Sequence, residues 1–145
     1  MQLNAQNFVS VCSLYLPPNK HIDQRDLDYL VEQLPKPFII IGDCNAHTAL
    51  CRSKDTNPRG RQIERMIEDH CLCLLNNGQD IYFHKPTRTF HTIDLAICSP
   101  SLLPFCSFSE ENDPYNSNHF PIFVTLAQEE INPTFRAPHF MYDKI

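Results

Sequence analysis

An α/β layered domain is the fold class that the sequence predicts, and three observations predict it. Apolar, β-branched runs alternate with amphipathic helical stripes through the first half of the chain. Strand-like runs dominate the second half. The run Phe38–Ile41 (FIII) is short, continuous and closed by Gly42, the pattern of a strand buried on both faces.

The elements follow in order. Phe8–Leu16 (FVSVCSLYL) is rich in β-branched and apolar residues and reads as a strand, which Pro17-Pro18-Asn19 stops. Leu27, Leu30, Val31 and Leu34 form an i, i+3, i+4, i+7 stripe, so Asp23–Leu34 reads as a helix capped by Asp23 and ended by Pro35. Its other face, with Asp26, Asp28 and Glu32, suits solvent. After FIII and a polar stretch, a second helix is expected from about Gly60 to Cys71, with Ile63, Met66 and Ile67 inward. Cys71–Leu75, Ile81–Phe83, Thr92–Cys98 and His119–Leu126 read as strands. From Ala127 the periodicity fades, and 127–145 is expected to be a loosely packed or disordered tail.

Composition bounds the function. The chain has 145 residues, enough for one domain, and 42% are hydrophobic, which suits a folded protein. No apolar run approaches the ~18 residues of a membrane span. Met1–Ser10 lacks the basic and apolar regions of a cleaved signal peptide. A net charge of −5 argues against a general nucleic-acid coat, though not against a local basic face. Seven cysteines, an odd count without a secretory signal, are expected to be reduced intracellular thiols. With only 3 glycines there is no G-x-x-x-x-G-K phosphate loop.

Three fragments can carry chemistry. In Ile41-Gly42-Asp43-Cys44-Asn45-Ala46-His47 a buried strand ends and a carboxylate and an amide emerge together, where ligands of α/β sheets collect. Asp43 can take a proton from water or hold a hard cation, and Asn45 can bond a phosphate. The same two residues can equally cap a turn. In Ile93-Asp94-Leu95 a carboxylate sits in an apolar strand, costly unless paired. In Ser117-Asn118-His119 an imidazole stands at a strand entrance. Asp94 and His119 form a natural pair, whether catalytic or only structural. Cys44-x-x-His47-x-x-x-Cys51 and Cys71-x-Cys73 lack standard zinc spacing, and Cys71, Cys73, Cys98 and Cys106 read as small core hydrophobes. Arg52, Lys54, Arg59, Arg61 and Arg65 make a basic segment just after the Asp43 turn, either a phosphate-backbone contact or a solvated face.

Taken together and in this order, YLPPN (15–19), IIIGDCNAH (39–47), NPRGRQIERMI (57–67), LLNNG (74–78), TIDLAICSPSL (92–102) and SNHFPI (117–122) resemble the endonuclease/exonuclease/phosphatase superfamily. The likeness is to the apurinic-type endonuclease domain of non-LTR retrotransposons. It covers residues 8–126, about the C-terminal half of the family's domain. The resemblance implies part of a four-layer α/β sandwich, with a largely antiparallel mixed sheet and flanking helices.

It also implies phosphodiester cleavage in DNA with Mg²⁺ or Mn²⁺. Asp43 would orient or deprotonate water, Asn45 and Tyr15 would contact the scissile phosphate, and Asp94 would hold His119 to stabilise developing charge. Arg59, Arg61, Arg52 and His47 are the expected substrate contacts. The family's early Asn and metal-binding Glu fall outside the matched motifs. Asn118 stands where the family has a metal-region Asp, and an amide oxygen is the weaker ligand. The expectation is a truncated metal-dependent DNA endonuclease domain, weak or inactive alone. The alternative is a non-enzymatic remnant that binds nucleic acid or protein. Half a sandwich would also leave one inner sheet face uncovered, which implies self-association or a missing N-terminal half.

Overall fold

The computed structural model describes residues 8–51, 53–76, 94–111, 119 and 121–127. Two sheets, two α-helices and two short 3₁₀ helices, Ala49–Cys51 and Pro100–Phe105, are built from these. The first sheet holds β1 (Ser10–Ser13), β2 (Phe38–Asp43), β3 (Cys73–Leu74) and β4 (Asp94–Cys98) in the order β1-β2-β4-β3. β1 runs parallel to β2, while β4 is antiparallel to both β2 and β3. The second sheet is an antiparallel pair, β5 (Cys106–Glu110) and β6 (Ile122–Leu126). The helices are α1 (Gln24–Gln33) and α2 (Pro58–Asp69).

Period-2 alternation sends the residues of the first sheet to two separate cores. Phe38, Ile40, Leu95 and Ile97 face the helices and pack with Leu27 and Val31 of α1 and Ile63 and Met66 of α2. Ile39, Ala96 and Cys98 face the second sheet and pack with Cys106, Phe108, Val124 and Leu126. The FIII run is therefore apolar throughout because both faces of β2 are covered, as expected. Each of these fully buried large side chains contributes about 1.5–3 kcal/mol. Over β2 and β4 the inner sheet face expected to lack a partner is packed against β5 and β6, while Val11 of β1, on the same face, is exposed.

The helix limits follow from their caps. Asp23 is the N-cap of α1, and its N–H donates to the Asp26 carboxylate at 3.0 Å. α2 begins before the expected Gly60. Asn57 caps it by accepting the Gly60 N–H at 2.6 Å, and Pro58 occupies the first turn, where its missing N–H costs nothing. α2 also ends earlier, at Asp69. Cys71 then takes a left-handed φ of 52°, its N–H donates to Glu68 O and the Leu72 N–H to Ile67 O. This pair of bonds is the Schellman ending of a helix. It turns Cys71 outward, so Cys71 is exposed and is not the core strand residue anticipated.

Four strands differ from expectation, and of Cys71–Leu75 only Cys73–Leu74 is β3. β1 covers only part of Phe8–Leu16, because its regular pairing with β2 stops near Gly42. The extended chain nonetheless continues, with the Leu14 N–H donating to Ile41 O and the Leu16 N–H to Asp43 O, both at 2.9 Å. β5 was not anticipated, since CSFSE offers only alternate apolar residues between serines. β6 begins at Ile122 and not at His119. Pro121 between them has no N–H to donate to a ladder. Ile81–Phe83, Thr92, Ile93 and all of the expected tail beyond Ala127 lie outside the described residues.

Candidate active site

The site lies at one end of the first sheet, where β2 finishes and β4 begins. Antiparallel register places Asp43, the last residue of β2, directly opposite Asp94, the first residue of β4. Alternation puts both on the face that looks toward the second sheet, since their neighbours Leu95 and Ile97 point to the helices. Tyr15 shares that face, because Leu14 and Leu16 on either side are buried in the helical core. Tyr15 is itself exposed.

His119 completes the group. Its Nδ1 lies 2.9 Å from Asp94 Oδ2, and its Nε2 lies 3.9 Å from Asp43 Oδ2. An ionised carboxylate can only accept, so the short contact places the proton on Nδ1. The Asp43, Asp94 and His119 ligand atoms all lie within 4.8 Å of one another, and among the described residues this is the one such group of three. The carboxylates are recessed, with side-chain exposures near 20% (19% and 21%), while the imidazole at 41% stands at the rim. Burial raises the Asp94 pKa, the bond and charge of His119 oppose this, and Asp43 adds to it.

Asp43 divides its work between its oxygens. Oδ1 accepts the Asn45 N–H at 2.9 Å, while Oδ2 faces His119. One carboxylate therefore both caps the turn and faces the imidazole. Asn45 adopts φ 47°, a left-handed conformation that asparagine tolerates, and its Nδ2 donates to Leu16 O at 3.0 Å. This bond ties the Asp43 turn to the 15–20 loop.

The other expected contacts scatter. The Arg59 Nη2 donates to Lys20 O at 2.9 Å, so Arg59 braces the 17–20 turn. The Arg61 Nη1 donates to Thr56 O at 2.9 Å. The His47 backbone bonds Asn57 through both its N–H and its C=O, and His47 is not one of the three clustered residues. Arg52 and Asn118 lie outside the described residues. Cys44 and Cys51 are buried, and desolvation pushes their thiols up to about 12 and about 11, so they stay protonated as core residues.

One residue that supports the site, and one on the facing strand, were not picked out from the sequence. Asn76 is buried, donates to Asp94 O at 3.0 Å and accepts the Ala96 N–H at 2.8 Å, which fixes the start of β4. Its signal was only a polar residue after an apolar run. Glu110, the last residue of β5, stands on the same strand face as the inward Cys106 and Phe108. Burial raises its pKa and the Asp94 charge adds to that rise.

Because the folded-state pKa of Glu110 is raised, its ionisation disfavours the fold. The penalty is absent below the ordinary carboxylate range, where Glu110 is protonated in both states. It is full above the raised folded value. Glu110→Gln is therefore expected to raise the melting temperature at pH 7 and leave it unchanged near pH 4. Equal effects at both pH values would show that charge is not the cause.

A family match, in keeping with this fold and site geometry, makes this an endonuclease-type domain. Residues 9–123 match the family model described as endonuclease-reverse transcriptase, and the chain belongs to that family. Its fold is similar to the endonuclease domain of TRAS1, a telomere-specific non-LTR retrotransposon, with a TM-score of 0.67 and 22% identity. That likeness covers 80% of this chain and 56% of the TRAS1 chain, so this chain spans about half the length of that relative. The curated proteins include no match. No helix among the described residues is long and apolar enough to cross a membrane.

Proposed function

We propose that the chain is a metal-assisted phosphodiesterase module that nicks DNA, and that it is slow on its own. The observation that carries this reading is the cross-strand Asp43–Asp94 pair with His119 bonded to one carboxylate and facing the other. Oxygen donors at this spacing fit a hard divalent cation, which takes one or two carboxylates together with substrate phosphate oxygens. Asp43 and Asp94 would hold Mg²⁺ or Mn²⁺. The ion supplies charge stabilisation at the phosphoryl oxygens.

The chain's own groups supply the rest. Asp43 Oδ2 orients the attacking water, while Oδ1 stays fixed by the Asn45 N–H. Asp94 accepts from His119 Nδ1–H, which fixes the ring with Nε2 on the Asp43 side, where the substrate would bind. Tyr15 sits on the same sheet face and provides a hydroxyl to a phosphate oxygen. Lys54 and Arg61 on the neighbouring segment attract the strand electrostatically. Slowness follows from the donor set. The family's metal-binding Glu has no counterpart in the matched motifs, and Asn118 replaces a carboxylate.

The test is nicking of supercoiled plasmid by the purified chain with Mg²⁺ or Mn²⁺. Slow, metal-dependent nicking that Asp43→Asn eliminates is the expected result. Nicking that persists in Asp43→Asn overturns the assignment. DNA binding without nicking supports the remnant reading instead.

A further inference from the structure

Asn57 makes more contacts with the Asp43 turn than a helix cap requires. Its Oδ1 accepts the Gly60 N–H at 2.6 Å, which is the cap, but also the His47 N–H at 3.0 Å. Its Nδ2 donates to Asn45 O at 3.2 Å, and its own N–H donates to His47 O at 3.0 Å. A single side chain therefore joins the first turn of α2 to both Asn45 and His47. The closeness is enforced at Gly60, where a Cβ would meet His47 O at 1.9 Å. From Asn45 the chain of bonds continues through its N–H to Asp43 Oδ1 and through Nδ2 to Leu16 O. Asn57 is thus one residue removed from the carboxylate proposed to act on water.

We propose that Asn57 is a positioning residue for that carboxylate, acting through Asn45 and not touching substrate. The inference rests on the phosphodiesterase reading above for its consequence, though not for its geometry. The left-handed backbone of Asn45, φ 47°, is one that asparagine tolerates but does not favour over its alternatives, so neighbouring bonds decide whether it holds. Its carbonyl is where one such bond is made. Gly60 lets α2 approach closely enough for Asn57 to reach it.

The test separates capping from positioning. Asn57→Asp keeps the cap, because aspartate caps as well as asparagine. It replaces the donor facing Asn45 O with a second acceptor, which repels it. Asn57→Ser also caps but is too short to reach Asn45 O, and it serves if the aspartate variant does not fold. Amide chemical shifts and hydrogen exchange of the full chain are read without ligand, alongside single-turnover nicking with Mn²⁺.

The expected result is an unchanged, protected Gly60 amide with a shifted, faster-exchanging Asn45 amide. Nicking should fall about 10- to 100-fold, as misplacement of a reacting group does, with DNA affinity unchanged. Asn45 and His47 amides that stay at their wild-type positions overturn the proposal. So does a displaced turn that still nicks at the wild-type rate. If the wild-type chain nicks nothing with either metal, the phosphodiesterase reading falls. The amide comparison then still decides whether Asn57 holds the turn.

Discussion

Gly42→Ala is expected to cost about 3–5 kcal/mol, the sum of overpacking and backbone displacement in a closed site, and to remove nicking with it. A Cβ at residue 42 would lie 1.8 Å from Leu14 O, 2.7 Å from Leu14 C and 2.9 Å from Leu14 N. All three are backbone atoms, so no side-chain rotation relieves the clash. Leu14 cannot withdraw alone either, because the bonds from the Leu14 N–H to Ile41 O and from the Leu16 N–H to Asp43 O flank the contact. Relief requires β1 to part from β2 beside Phe38 and Ile40, the centre of the helical core. Against a typical total stability of about 5–15 kcal/mol this is a large fraction. Urea melts of wild type and variant check it. A midpoint indistinguishable from wild type would show that the two strands do not approach this closely in solution.

The second large effect is expected at His119. His119→Ala should lower single-turnover nicking by about 10²-fold or more, the usual contribution of a placed acid–base or charge-stabilising group. Stability should change little, because the imidazole is partly exposed at the rim. Asp94→Asn provides the graded comparison. It keeps the size of the side chain and its place opposite Asp43 but removes the charge that holds the Nδ1 proton. Nicking should fall in this variant too. Because neutralising Asp94 also removes a partly desolvated charge, its melting temperature should not fall in parallel. Full nicking by His119→Ala would confine the Asp94–His119 pair to a structural role.

Most of what was legible in the sequence was local. The stripe Leu27, Leu30, Val31, Leu34 marks a helix because neighbours on one face recur every three or four residues, and α1 lies there. FIII marks a doubly buried strand because no polar residue interrupts it, and β2 packs on both sides. The Asp94–His119 partnership was legible because an unpaired carboxylate in an apolar strand is costly, and the short contact exists. Less was legible where the pattern is weak. β5 alternates serine with cysteine and phenylalanine, so its burial depends on β6 lying beside it. Arg59 was expected as a substrate contact, and charge alone does not reveal that its Nη2 also reaches Lys20 O.

The sequence by itself determined the elements that repeat with a short period, the glycine at the end of β2 and the residue types of the site. Those are properties of neighbours along the chain. Only the tertiary structure decided that β4 lies against β2 in the register that sets Asp43 opposite Asp94. It likewise decided that one residue before β6 reaches both carboxylates, and that Asn57, the cap of α2, grips the turn behind them. Strand order and register follow from packing two cores at once. No local pattern carries that information, because it depends on residues tens of positions apart meeting in space.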